Sequence, residues 1–257
     1  RRRKPEVLYS TSPYASAHLI ALVLNRLTGI PWVADFRDPW CGNPFQAPRS
    51  LIAERLDALL ESQVLRNATS IVCNTPTLAE HFIARYPAIE GKIRTILNGI
   101  DIESFASVVP RRFAPGEHFV FAHCGQFYGP RDPAVLFNAF RILVAEYPIE
   151  SATARLALIG STTFQGRSLE QLAGESGVAD RVILCGEKTH AEALAMAAGA
   201  DALVLAGAAG NGADLQVPQK LFEYVALRRP DIALLTADKP GAAMLREARA
   251  QAILSKP

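Results

Sequence analysis

Short apolar runs alternate with longer segments of helical period along nearly the whole chain. In the first half this alternation predicts strands and helices in turn, over residues 7–10, 16–27, 32–36, 50–67, 70–73, 76–86 and 93–97. Continuously apolar strands between helices are typical of parallel sheets that are buried on both faces. A helix start is also marked directly, because Thr75 precedes Pro76 at a predicted first turn.

The alternation breaks once, over residues 103–117, where two prolines fall in a stretch without any period. We interpret residues 109–116 as an interdomain linker. The pattern then resumes over residues 118–123, 133–146, 155–159, 168–176, 182–185, 190–199, 202–205, 218–228, 232–235 and 240–249. The sequence therefore predicts two tandem α/β domains, over residues 1–108 and 117–257, each with a Rossmann-like doubly wound parallel sheet.

Composition narrows the class of protein. The 257 residues are 49% apolar and carry a net charge of +2, which excludes disordered, collagenous and coiled-coil chains. The near-neutral balance argues against a nucleic-acid partner, since the basic excess lies in residues 1–4. No segment suits a signal peptide or a membrane span. The chain starts without Met just before a strand, which predicts an internal fragment with a truncated first domain.

The four cysteines, Cys41, Cys73, Cys124 and Cys185, form no CxxC pair. Their spacing matches no zinc motif, and they lie in or beside apolar runs. We therefore expect buried, reduced thiols and a reducing compartment.

Candidate chemistry in the first domain lies in the loops after its strands, because ligands of such sheets bind beyond the carboxyl ends of the strands. The hydroxyl-rich loop from Ser10 leads to His18, which can donate or accept a proton. These hydroxyls either cap the next helix or cradle a sugar or phosphate. Asp35, Arg37 and Asp38 follow the second strand, and they form either a structural ion pair or the polar wall of a site.

Two loops of the second domain suit an anion. Gly125 would let backbone amides approach a diphosphate that Arg131 neutralises, and a plain turn with a surface arginine is the alternative. The glycine-rich residues 207–214 precede a helix that begins near Pro218. Lys220 lies in its first turn, where a cation is unfavourable unless an anion binds there. A surface pair of Lys220 with Glu223 is the alternative.

Several common motifs are missing. The sequence has no GxGxxG and no GxxxxGK[ST], so the usual dinucleotide and P-loop fingerprints are absent. It has no DxD, one common means of holding Mg²⁺ to a nucleotide-sugar, and no HExxH or GxSxG.

Five segments together resemble a known family, although each is short. They are Ser10–Pro13 with His18, Trp32–Trp40, Asn98–Asp101 with Phe105, Gly125–Tyr128 with Arg131–Pro133, and Pro218–Tyr224 with Arg229–Pro230. In order and spacing they are similar to the retaining glycosyltransferases of GT-B fold in family 4, also called glycosyl transferases group 1. The resemblance covers nearly the whole chain.

The resemblance implies a role for individual residues. Glu223 matches the second Glu of the EX7E motif, which binds the donor ribose. Lys220 and Arg131 match basic groups near the donor diphosphate. His18 and Asp38 match the acceptor side, and they complete the predicted catalytic set. The predicted donor-binding set is Gly125, Gln126, Gly160, Gly186, Glu187, Lys188, Asp214, Pro218, Lys220 and Glu223.

Three positions depart from the family pattern. The first Glu of EX7E falls at Leu215, so Asp214 or backbone groups would substitute for it. Position 126 is Gln where relatives often have Arg, and position 132 is Asp where they often have Lys. Neutralisation of the diphosphate would then depend more heavily on Arg131 and Lys220.

The implied function is metal-independent, retaining transfer of a sugar from a UDP- or GDP-sugar to a saccharide or lipid-linked acceptor, in polysaccharide or glycolipid synthesis. No cofactor is expected, since the nucleotide-sugar is a substrate. The implied location is cytoplasmic, with peripheral contact at the inner face of the membrane as an option. Two alternatives stay open, a nucleotide-sugar-binding module without turnover and a GT-B nucleotide-sugar epimerase or hydrolase.

Overall fold

The computed structural model describes residues 5–43, 45–47, 49–113, 118–129, 131–206, 215–229, 231–236, 245–246 and 252–255, the strands at 231–236 and 252–255 by their backbone only. The chain divides into two compact units. Residues 1–98 and 210–217 form the first unit, and residues 99–209 and 218–257 form the second. The division at residue 98 precedes the predicted linker at 109–116, part of which lies outside the described residues.

The first unit alternates strands and helices as predicted. Its elements are β1 (Leu8–Thr11), α1 (Ala15–Thr28), β2 (Trp32–Phe36), α2 (Leu51–Asn67), β3 (Ser70–Cys73), α3 (Pro76–Arg85), a 3₁₀ helix (Pro87–Lys92) and β4 (Ile93–Thr95). The four strands are parallel and lie in the order β1-β2-β3-β4. This sequential order is one half of a doubly wound sheet.

Local sequence explains where these helices begin and end. The Ser50 hydroxyl accepts a hydrogen bond from the Ala53 amide at the start of α2, and the Thr75 hydroxyl accepts one from Leu78 at the start of α3. Gly29 ends α1 with φ of 68°, a left-handed conformation that costs glycine little.

A carboxylate at the centre of the first unit joins three of its elements. Glu61 on α2 is fully buried and accepts hydrogen bonds from the Cys41 amide (2.9 Å) and the Tyr86 hydroxyl (3.0 Å). It also pairs with Arg85 of α3 at 3.2 Å. A buried charge is tolerated only when it is paired and hydrogen-bonded, so Glu61 ties the loop after β2 to both helices.

The second unit also follows the predicted alternation. Its elements are α4 (Ile102–Ala106), β5 (Phe119–Cys124), α5 (Pro133–Glu146), β6 (Ala154–Ile159), β7 (Thr163–Phe164), β8 (Arg167–Ser168), α6 (Leu169–Glu175), a 3₁₀ helix (Ala179–Arg181), β9 (Val182–Gly186), α7 (His190–Gly199), β10 (Ala202–Ala206), α8 (Gln219–Leu227), β11 (Asp231–Thr236) and β12 (Ala252–Ser255). A six-stranded parallel sheet forms its centre, and β7 and β8 make a separate antiparallel hairpin.

The order of the large sheet is β12-β11-β10-β5-β6-β9. The chain starts at β5, adds β6 and β9 on one side, and then returns to place β10, β11 and β12 on the other side. This is the doubly wound Rossmann order, and the direction of winding reverses between β5 and β10. The predicted fold class of the second domain is therefore confirmed.

Some elements differ from the prediction. The short helix α4 lies where no regular structure was expected, because Asp101 caps it by accepting a hydrogen bond from the Glu103 amide. The hairpin β7-β8 and strand β12 were not predicted, since each is very short or follows no clear pattern. The predicted helix at 240–249 lies mostly outside the described residues.

Part of the predicted linker packs against a helix. The Arg111 amide donates a hydrogen bond to the Ala195 carbonyl of α7 at 2.8 Å. A Cβ at Gly199 would overlap the carbonyl of Arg111, so glycine allows this close approach. None of the helices in the described part of the chain is long and apolar enough to cross a bilayer.

We expect Glu61→Ala to cost the first unit about 1–3 kcal/mol of unfolding free energy, because it removes a fully buried carboxylate that accepts hydrogen bonds from the Cys41 amide and the Tyr86 hydroxyl. Urea unfolding followed by tryptophan fluorescence measures this, since Trp32 and Trp40, the chain's two tryptophans, belong to this unit. Glu54→Ala, at an exposed position of the same helix, is the control and should change stability by less than about 0.5 kcal/mol. Equal urea midpoints for Glu61→Ala and Glu54→Ala would contradict the stabilising role of Glu61.

Candidate functional site

Three glycines mark the carboxyl ends of neighbouring strands beside the point where the winding reverses. Gly125 follows β5, Gly160 follows β6, and Gly186 ends β9, with φ of 128°, 144° and 67°. Backbone hydrogen bonds join them in series, from the Gly125 amide to the Ile159 carbonyl (2.7 Å) and from the Gly160 amide to the Gly186 carbonyl (3.1 Å). Ligands of doubly wound sheets bind at this edge.

Glycine is required here by space as well as by conformation. A Cβ at Gly160 would overlap the carbonyl of Gly125, and the φ of each lies where other residues are strained. The backbone of the two loops therefore approaches more closely than side chains would permit. This leaves the strand ends open to a ligand.

Helix α8 is docked on the end of β5 through its tyrosine. Tyr224 is buried, and its hydroxyl accepts a hydrogen bond from the Cys124 amide at 2.9 Å. Lys220 lies one turn earlier, so its ammonium group is carried onto Gly125, where a Cβ would collide with Nζ. Gly125 leaves space for the Lys220 ammonium group, and Tyr224 holds α8 against β5. Together they place a cation at the carboxyl edge of the sheet.

The environment of Lys220 is electrostatically unfavourable for a cation. Burial first and the nearby Arg131 guanidinium second lower the pKa of Lys220, which is about 8 after smaller opposing effects of Cys124 and Glu223. Two cations held together at the N-terminal end of α8 suit an anion, which would relieve both repulsion and desolvation. Lys220 and Arg131 therefore form a candidate anion site.

Arg131 is held in place by an aromatic neighbour. It donates a hydrogen bond to the Tyr128 hydroxyl at 2.7 Å, and its guanidinium lies 5.1 Å from the centre of the Tyr128 ring. The next residue, Asp132, caps α5 by accepting a hydrogen bond from the Ala134 amide at 2.8 Å. Asp132, where the related family often has Lys, therefore serves to cap α5.

Glu223 pairs with a residue that the sequence did not identify. Its Oε1 lies 3.0 Å from Nε2 of His190, the first residue of α7. No Lys220–Glu223 ion pair forms among the described residues, so the surface-pair alternative is wrong. The signal that could have found His190 is the capping box of Thr189 and Glu192, which presents the intervening first-turn residue at the carboxyl end of β9.

A buried histidine was also missed. His123, in β5, donates a hydrogen bond from Nδ1 to the Val204 carbonyl (2.9 Å), and its ring stacks on Phe127 with 4.8 Å between the ring centres. Burial, aided by the charge of Lys220, lowers the pKa of His123 to about 3. The imidazole is therefore neutral and adds no third positive charge beside the anion site.

The other predicted donor-binding residues are distributed around this edge. Gln126, Glu187 and Lys188 are exposed, and Pro218 immediately precedes α8. Asp214 and the glycine-rich residues 207–214 lie outside the described residues. Their assigned roles in donor binding stay predictions.

Leu215 is described, and it has no carboxylate to offer at the position of the family's first Glu. Its side chain belongs to the buried core of the first unit. Its carbonyl accepts a hydrogen bond from the Thr75 hydroxyl at 2.8 Å.

His18, in the first unit, is part of a buried network. Its Nδ1 lies 2.7 Å from the Ser10 hydroxyl, which also accepts a hydrogen bond from the Trp32 indole at 2.8 Å. Burial lowers the pKa of His18 to about 4. A hydroxyl has one proton and two lone pairs, so Ser10 can accept from the indole and still hydrogen-bond either tautomer of His18.

The alternative that these hydroxyls cap the helix is wrong, because the N-cap residue of α1 is Tyr14 and no side chain caps the helix. The Ser12 hydroxyl instead accepts from the Arg37 amide at 2.7 Å. Asp38 and His18 line a cavity of about 10 Å³, the room of a single water. The two predicted acceptor-side residues are thus brought together.

Asp35 is held by hydroxyls rather than by an arginine. It accepts hydrogen bonds from Tyr9 (2.7 Å) and Thr11 (2.8 Å) of the neighbouring strand β1. Of the two alternatives for this loop, the structural Asp–Arg pair is not formed by Asp35, whose partners are two hydroxyls. The effect on Tyr9 is a raised pKa, caused first by its hydrogen bond to Asp35.

The four cysteines are free, as expected. Burial raises the pKa of Cys73 to about 12 and that of Cys124 to about 11, so both are unreactive thiols. In the part of the chain that the structure describes, no group of three or more His, Cys, Asp or Glu side chains is arranged to hold a metal ion.

Comparison with known proteins agrees with this architecture. Residues 1–99 match the family model of the glycosyl transferase 4-like domain. A D-inositol 3-phosphate glycosyltransferase of Saccharomonospora viridis is 33% identical over 131 residues, which cover 47% of this chain and 30% of that protein. The enzyme of the same name from Stackebrandtia nassauensis is 30% identical over 131 residues, 48% of this chain and 30% of its own length. The matched segment spans less than a third of either relative.

Solved structures resemble the chain over nearly its whole length. Anabaena Alr3699/HepE in complex with UDP has a TM-score of 0.69 at 16% identity, covering 98% of this chain and 65% of that one. Sucrose-phosphate synthase of Thermosynechococcus elongatus has a TM-score of 0.67 at 18% identity, covering 98% and 61%. At these identities the likeness concerns the fold.

Two parallel-sheet α/β units in one chain, with these structural neighbours, define the GT-B class of fold. The match to the glycosyl transferase 4-like domain covers the first 99 of the 257 residues, and over that part it supports the family expected from the five sequence segments. The relatives are named as glycosyltransferases, consistent with the predicted class of enzyme.

We expect Gly160→Ala to unfold or distort the second unit, because the new Cβ would overlap the Gly125 carbonyl at a φ of 144°. The strain alone costs about 1–3 kcal/mol. Circular dichroism during thermal unfolding measures the loss. Gly174→Ala is the matched control, since Gly174 lies in α6 with open space around it, and it should be neutral or stabilising by up to about 1 kcal/mol. The expectation fails if the two variants melt alike.

Proposed function

We propose that the protein transfers a sugar from a nucleotide-sugar to an acceptor hydroxyl, with retention and without a metal ion. The observation that carries this proposal is the pair of cations at the carboxyl end of β5, where Lys220 lies on Gly125 and Arg131 lowers its pKa. A nucleotide-sugar presents a diphosphate, which is the anion such a pair suits. UDP and UDP-glucose are named in complexes of the Anabaena structural neighbour.

The diphosphate would lie at the start of α8, next to the ammonium group of Lys220 and the guanidinium of Arg131. Backbone amides of the Gly125 loop, left uncovered by side chains, would add further donors. Glu223, oriented by its contact with His190, would accept hydrogen bonds from the donor's ribose. This combination favours a nucleoside diphosphate over inorganic phosphate alone.

In the reaction, the bond from the anomeric carbon to the diphosphate breaks while a bond to the acceptor oxygen forms on the same face. Negative charge develops on the leaving nucleoside diphosphate, and Lys220 and Arg131 would stabilise it more in the transition state than in the bound donor. The acceptor proton passes to the departing phosphate oxygen. This route needs no separate protein base, in keeping with a His18 that is buried and neutral.

The proposal includes the wider expectations from sequence. The donor would be a UDP- or GDP-sugar, the acceptor a saccharide or lipid-linked saccharide, and the process polysaccharide or glycolipid synthesis. The protein would act in the cytoplasm, with peripheral contact at the inner face of the membrane as an option. The closest functional support is the naming of the curated relatives as glycosyltransferases, with which the chain shares about half of its own length.

We expect the affinity for UDP to fall as the pH rises above about 8. Burial lowers the pKa of Lys220 to about 8, so below that value the ammonium form attracts the diphosphate and above it the neutral amine does not. One titrating group weakens binding by up to about tenfold per pH unit. Isothermal titration calorimetry with UDP on both sides of this pKa measures the change.

Lys220→Met should bind UDP more weakly and lose the alkaline dependence. Arg141→Met, which removes one positive charge from an exposed position of α5, is the control and should keep it. The assignment of Lys220 to the diphosphate is wrong if Lys220→Met retains the alkaline loss of affinity.

Turnover is tested by incubating the protein with several nucleoside diphosphate sugars, with and without a panel of saccharide acceptors. We expect transfer with one donor class, and a loss of at least about 100-fold in both Glu223→Ala and Lys220→Ala. Free sugar or an epimerised donor formed without acceptor would instead identify a hydrolase or epimerase. Tight UDP binding with no product in any arm would identify a binding module.

A further inference from the structure

A histidine at the start of α7 lies at the same edge of the second unit's sheet as Lys220. His190 is the first residue of α7 and comes soon after Gly186, which ends β9. The Gly186 carbonyl accepts a hydrogen bond from the Gly160 amide at 3.1 Å, so this strand end is joined to the loop after β6. Because the strands are parallel, the start of α7 lies at the carboxyl edge, where ligands of such sheets bind.

Local hydrogen bonds fix the backbone that carries His190. The Thr189 hydroxyl accepts a hydrogen bond from the Glu192 amide at 3.3 Å, and the Glu192 carboxylate accepts one from the Thr189 amide at 3.0 Å. This capping box holds the first turn of α7. Helix α8 is held separately, because its Tyr224 hydroxyl accepts from the Cys124 amide at 2.9 Å. A contact between the two helix starts therefore joins two anchored elements.

His190 makes such a contact with the carboxylate of Glu223 on α8. Its Nε2 lies 3.0 Å from Oε1 of Glu223. An ionised carboxylate can only accept hydrogen bonds, so the proton of this contact lies on Nε2. The contact engages Oε1 and leaves Oε2 to face a ligand. A glutamate with one oxygen already held loses less rotamer freedom when it binds that ligand.

The exposure of the pair argues for a role toward a ligand rather than in the fold. The His190 side chain is 63% exposed, whereas that of Glu223 is 20% exposed. An exposed ion pair contributes little to stability, and removal of an exposed side chain leaves no cavity. The contact therefore affects mainly the direction of the carboxylate.

The spacing along α8 indicates which part of a nucleotide Glu223 would meet. Lys220 and Glu223 are three residues apart, so their Cβ atoms are about 5–6 Å apart on one side of the helix. In a nucleoside diphosphate the ribose is bonded directly to the first phosphate. A diphosphate bound at Lys220 would thus bring the ribose hydroxyls to the Glu223 carboxylate.

We propose that His190 is a positioning residue for Glu223, and that this pair makes the donor site selective for ribose over deoxyribose. The proposal rests on the proposed binding of a nucleoside diphosphate, and it adds a residue and a specificity to that site. With Oε1 held by His190, Oε2 accepts from the ribose hydroxyls in one orientation. Without His190 the carboxylate rotates and these hydrogen bonds weaken, while the diphosphate contacts of Lys220 and Arg131 stay in place.

Three ligands separate the ribose from the diphosphate. They are UDP, 2′-deoxy-UDP and inorganic pyrophosphate, each titrated into the full chain by isothermal calorimetry. We expect the unmodified chain to bind UDP at least about threefold more tightly than 2′-deoxy-UDP. His190→Ala should weaken UDP binding by about three- to tenfold and reduce the ribose preference to below about twofold. It should leave the affinity for pyrophosphate unchanged.

Rescue distinguishes positioning from a general loss of structure. In His190→Gln the amide N–H reaches about as far as Nε2, so this variant should restore most of the ribose preference. In His190→Asn the amide ends nearer the backbone, so this variant should behave like His190→Ala. His118→Ala removes another exposed histidine of the same unit and should leave all three affinities unchanged. Thermal midpoints of all four variants should stay close to that of the unmodified chain.

The proposal is overturned if His190→Ala keeps the ribose preference, if it weakens pyrophosphate as much as UDP, or if His190→Gln binds like His190→Ala. Equal binding of UDP and 2′-deoxy-UDP by the unmodified chain also overturns it, and leaves the proposed donor site standing. Failure of the proposed function gives a different result, namely an unmodified chain that binds neither UDP nor pyrophosphate. That result overturns both proposals.

Discussion

The close approach of the Gly125 and Gly160 backbones is the constraint on which the candidate donor site depends. The two loops meet where β5 and β6 end, and no side chain fits between them. Because the space beside Gly125 is empty of a Cβ, Lys220 can lie there, and the Tyr224 hydroxyl keeps its helix on the end of β5. Burial and the nearby Arg131 then lower the pKa of Lys220. A steric feature of the backbone thus determines the electrostatics of the site.

The first unit is organised around buried polar groups instead. Glu61 joins the loop after β2 to α2 and α3, and Ser10 joins His18 to Trp32. Such groups are costly unless every partner is in place, so they hold the loop between Trp40 and Arg49 against the helices. The same loop, with Asp57, lines a cavity of about 520 Å³ in the first unit.

Much of the fold could be predicted because the strands are continuously apolar and the helices carry their own caps. Thr75 and Pro76 marked the start of α3, and observed boundaries mostly differ from expectation by one or two residues. The helix α4 and the hairpin β7-β8 could not be predicted, since one short cap and two-residue strands leave almost no periodic signal. For the candidate site, the sequence singled out Lys220 because a cation in the first turn of a helix is unfavourable, and Arg131 because it follows a glycine loop at a strand end.

The sequence by itself determined the class of fold and the loops that form the candidate site, because each depends on local pattern and on short motifs in order. Only the tertiary structure decided which partner each charged group takes. Glu223 pairs with His190 from another helix rather than with Lys220, Asp35 binds two hydroxyls rather than Arg37, and Leu215 packs in the first unit's core. These pairings join residues far apart in the chain, and their energies depend on burial and distance, which no local pattern encodes.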